Sequence, residues 1–144
     1  MSRYLLPIID PEMMPCVDLE SMNEVHKEEV ALINRLGELV IQGIEGESVV
    51  DLIGRSLEEW VSHTRDHFEG ENRLMESYGF PPYPVHKAEH AQVLERLEMV
   101  QARWHDGLVL EDLADFIFIE WRSWFEQHVQ SMDSVTARFL RQAM

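Results

Sequence analysis

The stretch "HTRDHFEGENRLME", residues 63–76, is where the fold and the function of this chain are decided. It carries His63 and His67 four residues apart, and Glu71 another four residues on. Residues four apart lie on the same face of an α-helix, so a helix here would align all three side chains. That face could be a solvated surface, a polar seam in a core or one wall of a metal site. The stretch alone leaves the three interpretations open.

Apolar residues recur at steps of three and four through most of the chain, which is the periodicity of amphipathic helices. The predicted helices span about residues 21–42, 48–78, 84–105 and 111–131, and the tail "DSVTARFLRQAM" adds a short C-terminal helix. Glycines and the turn "GFPPYP" separate them. The fold class is therefore predicted to be all-α. We expect an up-down-up-down four-helix bundle over residues 21–144, preceded by an N-terminal arm over residues 1–20.

Composition excludes several classes of partner. The 144 residues are the size of one domain, and the formal net charge of −15 argues against binding nucleic acid or anionic membrane surfaces. No apolar run approaches the ~20 residues that span a bilayer. The single cysteine, Cys16, cannot form an internal disulfide and suits a reducing compartment, so we expect a cytoplasmic protein.

Histidines and acids fall on the inward stripes of all four predicted helices. His67 and Glu71 share a stripe with Trp60, and His128 lies between Trp124 and Met132. Taken singly, each histidine is more often a surface residue than a ligand. As a set they need buried partners, and imidazole with carboxylate suits iron, zinc or manganese. The candidate metal ligands are His26, His67, Glu71, His86, His90, His128 and Asp133.

The segments that hold these residues resemble the successive ligand segments of the hemerythrin family. They read "HKEE…LIN", "HFEGE", "HKAEH" and "WFEQHVQSMD", in the family's order, and the resemblance runs from about residue 17 to the end. It implies a non-haem di-iron protein that binds dioxygen for carriage, storage or sensing. One iron would be held by His86, His90 and His128, the other by His26 and His67, with Glu71, Asp133 and an oxo or hydroxo group bridging them. By family position, the residues lining the ligand pocket would be Phe68, Trp124, Phe125 and Val129.

Glu29 departs from the family pattern, in which this position beside the oxygen site commonly holds leucine. It falls three residues after His26, on the inward face of the first helix. In an antiparallel pair Glu29 and His63 share a layer, so we expect them to interact above the two-histidine iron, bordered by Trp124. A buried glutamate needs a partner or a raised pKa.

Three consequences of such a glutamate stay open. It could coordinate the open iron position and block it. It could form a hydrogen bond to a bound oxygen species and so promote redox chemistry. Or it could swing out to solvent and leave an ordinary oxygen site. The alternative function is accordingly a di-iron redox enzyme of peroxidase or oxidase type, or a redox sensor. A weaker third possibility is an interaction module whose metal is only structural.

Overall fold

The computed structural model describes residues 4–107 and 109–144, and within them the chain forms a bundle of four helical rods. The first three rods are α1 (Glu20–Ile44), α2 (Val50–Ser77) and α3 (Tyr83–His105). The fourth is one continuous helical path made of α4 (Leu110–Asp115), a π-helical turn (Phe116–Trp121), α5 (Arg122–His128), a second π-helical turn (Val129–Asp133) and α6 (Ser134–Ala143). The all-α bundle with a C-terminal helix is confirmed. The C-terminal helix, α6, is the last part of the fourth rod and continues it without a break.

Contacts between the rods show that neighbours run antiparallel. His26 of α1 faces Glu71 of α2, whereas Glu29, one turn further along α1, contacts His63, two turns earlier on α2. In the same way His86 contacts Thr136 and Arg96 contacts Glu120, so α3 runs opposite to the fourth rod. Across α2 and α3, Asn72 contacts His90, while Arg65, two turns earlier on α2, lies 4.0 Å from Glu98, two turns later on α3. The order is therefore up-down-up-down.

Two glycines end the first two rods at points where only a left-handed backbone closes the helix. Gly46 has φ of 100° and Gly79 has φ of 66°. After each glycine the next amide returns to the last turn, Glu47 N–H to Gln42 O and Phe80 N–H to Met75 O. This paired capping satisfies carbonyls that the helix leaves free. The short connections that follow keep the rods adjacent.

The apolar core is divided in two along the bundle axis. A large cluster around Ile33, Leu57, Trp60 and Ile117 fills one part, and a small cluster of Met22, Ala137 and Leu140 fills the other end. On α1, His26 lies between Met22 and Val30 and so separates the two clusters. In the parts of the chain that the structure describes, no helix is both long and apolar enough to cross a membrane.

Candidate metal centre

Seven polar side chains meet in the layer between the two apolar clusters. All seven belong to the set that the sequence predicts as ligands, and none is more than 8% exposed. They fall into two groups that could each hold a metal ion: Glu71, His86, His90, His128 and Asp133 form the three-histidine group, and His26, His67 and Glu71 form the two-histidine group. Within each group one atom per residue lies within 4.8 Å of all the others.

Both carboxylates are shared between the two groups, one oxygen to each. Glu71 directs Oε1 towards His90 Nε2 at 3.3 Å and Oε2 towards His67 Nε2 at 2.8 Å. Asp133 directs Oδ1 towards His128 Nε2 and Oδ2 towards His26 Nε2, both at 3.1 Å. A carboxylate placed in this way can bridge two cations.

Four of the five histidines are held by a hydrogen-bond partner behind the ring, at Nδ1. His67 faces Glu29 Oε1 at 3.1 Å, His86 faces Thr136 Oγ1 at 2.9 Å, His90 faces Asn72 Oδ1 at 2.9 Å and His128 faces Glu89 Oε1 at 2.9 Å. A carboxylate or amide oxygen only accepts, so the facing Nδ1 carries the proton. The Thr136 hydroxyl donates to Met75 Sδ and can accept from His86 in the same way. With the proton on Nδ1, each Nε2 points into the layer and can offer its lone pair to a metal ion.

Several of these inward atoms have no hydrogen-bond partner among the described residues. They are both Asp133 oxygens, Glu71 Oε1, His90 Nε2 and both ring nitrogens of His26. His86 Nε2 and His128 Nε2 approach to 3.1 Å, which sets two lone pairs against each other when both rings are neutral and carry their proton on Nδ1. Buried polar atoms are rarely left unpaired. Cations between them would satisfy all of these atoms together, so the residues present fit a metal pair.

The carboxylates are ionised at neutral pH. Burial and the neighbouring Asp133 raise the pKa of Glu71, but the adjacent imidazoles of His67 and His90 favour the ionised form and lower it to about 2. Burial likewise raises the pKa of Asp133, but the imidazoles of His128, His26 and His86 beside it favour the ionised form and hold the pKa well below its ordinary value. Both groups are thus already in the anionic form that binds a cation.

Glu29 is buried behind His67, at 1% exposure, and receives four donors on its two oxygens. His63 Nδ1 at 3.0 Å and His67 Nδ1 at 3.1 Å face Oε1, while Trp60 Nε1 and Thr64 Oγ1 donate to Oε2. The expected contact between Glu29 and His63 is present, but the carboxylate does not swing out to solvent. It lies at the back of the His67 ring, on the side away from Glu71.

A small cavity borders the layer, and its lining differs in part from the predicted pocket. Phe68, Trp124, Phe125 and Glu29 line it, together with His67, His128 and Asp133. His63 and Val129 do not: His63 lies outside Glu29, towards Glu28 Oε2 at 3.2 Å, and Val129 is fully buried in the core. Thr64 and Trp121 line it without having been predicted. Thr64 had a signal in the sequence, because it continues the stripe of Trp60, His67 and Glu71.

A helical bundle with paired histidine–carboxylate groups in its core defines a class of metal-binding protein, and comparison with known proteins gives the family. Residues 17–140 match the family model described as the hemerythrin HHE cation binding domain. A bacteriohemerythrin of Aquifex aeolicus (strain VF5) is 31% identical over 133 residues, which are 92% of this chain and 98% of that protein. One from Ralstonia nicotianae is 33% identical over 103 residues, 72% and 73% of the two chains. One from Methylococcus capsulatus is 25% identical over 115 residues, 78% and 81%. This chain belongs to the hemerythrin family.

Proposed function

We propose that this protein holds two non-haem iron ions and binds dioxygen, for carriage, storage or sensing. The observation that supports the proposal is the sharing of Glu71 and Asp133, each with one oxygen towards each histidine group. His86, His90 and His128 would hold one iron, and His26 and His67 the other, with both carboxylates and an oxo or hydroxo group bridging them. When bound, such a ferrous pair supplies the electrons and the open coordination position that dioxygen binding needs.

The protein's own residues prepare the site. Thr136, Asn72, Glu89 and Glu29 fix the rings of four histidines, so little reorganisation is needed when metal enters. The aromatic rings of Phe68, Phe125 and Trp124 line the cavity, which is too narrow to hold a water molecule. Trp124 is itself fixed, because its Nε1 donates to Glu89 Oε1 at 2.8 Å. This apolar wall favours a small neutral ligand over a charged one.

Glu29 is the residue on which the alternative function depends. A carboxylate has about four lone-pair positions, and Trp60, His63, Thr64 and His67 account for all four. This engagement supports an open position that Glu29 does not occupy. The redox alternative requires Glu29 to leave these partners and act in the cavity, at the cost of four hydrogen bonds.

The test is to load the full chain with ferrous iron without air, admit air and record the visible absorption spectrum. A new band that disappears when oxygen is removed supports the proposal, and the zinc-loaded protein, which has no redox chemistry, is the matched control. Passage to a permanent ferric spectrum without such a band contradicts reversible binding. Turnover of peroxide with an electron donor, lost in Glu29→Leu, would then identify the redox enzyme.

A further inference from the structure

The two histidine groups differ in how their rings are held. Each histidine of the three-histidine group has its own Nδ1 partner: Thr136 for His86, Asn72 for His90 and Glu89 for His128. In the two-histidine group His26 Nδ1 has no partner among the described residues, so His67 is the member with a fixed ring. Among the described residues, the contact between His67 and Glu29 is therefore the one hydrogen bond that holds an imidazole of this group from behind.

We propose that Glu29 is the positioning residue of the two-histidine group, and that it strengthens metal binding there and not in the three-histidine group. This inference rests on the metal pair proposed above but not on dioxygen binding. Glu29 accepts the Nδ1 proton of His67, which keeps the ring from rotating and leaves Nε2 free for metal. A carboxylate behind a ligand imidazole also makes Nε2 more electron-rich, and removing such a partner typically weakens metal binding 10- to 100-fold.

The surroundings of Glu29 are built to hold the carboxylate in this place. Trp60, His63, Thr64 and His67 all lie on α2, so a single helix face supplies every donor. Trp60 can only donate, and Thr64 has one proton to give, so the two together fix Oε2 as an acceptor. Oε1 is left for the two imidazoles. The same contacts lower the pKa of Glu29 to about 2, against the effect of burial, because His63, His67 and Thr64 favour the ionised form.

His63 closes the carboxylate off from solvent. Its Nδ1 faces Glu29 Oε1 at 3.0 Å and its Nε2 faces Glu28 Oε2 at 3.2 Å, while Glu28 is 68% exposed. A different interpretation is that Glu29, His63 and His67 hold a third cation, since one atom of each lies within 4.8 Å of the others. Two facts favour the positioning role over a third cation. Glu29 Oε2 already accepts from Trp60 and Thr64, and His67 already directs Nε2 to the two-histidine group.

The substitution Glu29→Gln tests the inference sharply. Its amide has one acceptor and one donor end, and Trp60 requires the acceptor end at its side. The NH₂ group would then face His67 Nδ1, which would have to accept and so move its proton to Nε2, where metal must bind. The matched control is Glu28→Gln, the same change one residue earlier, at a side chain that touches His63 but neither metal group.

The experiment is a zinc titration of the full chain in competition with a chelator, with anomalous diffraction of zinc-loaded crystals to locate the ions. We expect two zinc ions in the wild type and in Glu28→Gln. In Glu29→Gln the ion of the two-histidine group should bind 10- to 100-fold more weakly, and the other should be unchanged. Equal affinities in all three proteins, or an equal loss at both groups, would overturn the inference. So would a third zinc ion that is lost in His63→Gln.

A second measurement does not depend on a variant that folds. In the zinc-loaded wild type, the Nδ1 proton of His67 should give a sharp proton NMR signal that exchanges slowly with water, because it is buried in a hydrogen bond to Glu29. A signal in rapid exchange would overturn the inference. Fewer than two zinc ions in the wild type would contradict the proposed metal pair itself. That result differs from the ones that contradict only the positioning role of Glu29, so the two proposals can be rejected separately.

Discussion

His128 and Asp133 are five residues apart in the sequence, yet His128 Nε2 lies 3.1 Å from Asp133 Oδ1. On a regular α-helix, five residues rotate the chain by about 140° beyond one full turn, which would direct the two side chains to different faces. The backbone from Val129 to Asp133 is instead a π-helical turn, which closes its hydrogen bonds between residues five apart. The extra residue brings both side chains into the metal layer.

Inserting one alanine after Gln130 should therefore abolish binding of both metal ions. The insertion makes the step from His128 to Asp133 six residues, one more than the π-helical turn accommodates, and turns Asp133 by about 100° relative to His128. Because Asp133 serves both groups, zinc titration should show neither ion bound tightly, while circular dichroism should still show a helical protein. Gln130→Ala is the control, since Gln130 is exposed and the residue count is kept. Tight binding of two zinc ions after the insertion would show that the turn does not set the position of Asp133.

Asp133→Ala and His90→Ala should differ in how many ions they affect. Asp133 has one oxygen towards each group, so its loss should weaken both ions. His90 faces the three-histidine group alone, through Glu71 Oε1, so its loss should weaken one. Zinc stoichiometry measured against a competing chelator distinguishes the two patterns. An Asp133→Ala protein that keeps one ion at full affinity would contradict the shared carboxylate.

Trp60→Phe should destabilise the protein more than Trp121→Phe does. Both indoles are buried, at 0% and 2% exposure, but Trp60 donates to the Glu29 carboxylate, whereas Trp121 Nε1 has no partner among the residues the structure describes. The two substitutions remove the same atoms, so their difference isolates the hydrogen bond to a charged group. Denaturant unfolding of the metal-free proteins should give a difference of about 1.5–3 kcal/mol. Equal losses would mean that the Trp60–Glu29 bond contributes nothing net.

Acid should destabilise the metal-free protein in part through Glu29. Its pKa is lowered from 4.5 to about 2 in the folded state, so the stabilisation is present above pH ~4.5 and is lost as the pH falls towards 2. The loss is on the order of 3 kcal/mol. In Glu29→Gln the free energy of unfolding should start lower at pH 7 and fall less steeply below pH 5, measured by urea unfolding over the pH range. Parallel curves for the two proteins would contradict this assignment.

The sequence predicted the bundle and the seven clustered residues because both follow from a short periodicity. His67 and Glu71, or His86 and His90, are one turn apart, and that spacing can be read without a structure. Asn72, Glu89 and Thr136 were missed because a polar residue beside a ligand looks the same whether it faces solvent or an imidazole. The π-helical turns were missed because α-helical spacing was assumed throughout. The five-residue step from His128 to Asp133 was the available signal.

The position of Glu29 could be predicted only in part. Counting turns on two antiparallel helices correctly placed it beside His63. The same counting could not show that the carboxylate turns towards the back of His67, because Trp60 and Thr64 decide that direction through their hydrogen bonds. Helical periodicity predicts which residues share a layer of the bundle. It does not predict where a side chain points within that layer, because this depends on all the hydrogen-bond donors around it.

His26 Nε2 and Asp133 Oδ2 lie 3.1 Å apart, although one belongs to the first rod and the other to the last. A chain made from its N-terminus has produced His26, His67, Glu71, His86 and His90 long before His128 and Asp133 exist. Three rods packed alone would bury those five polar side chains without their remaining partners, which is unfavourable. The ribosome must therefore release the fourth rod before the bundle can close. Closure of the bundle, and with it completion of the proposed metal layer, is in this way postponed until the fourth rod has been made.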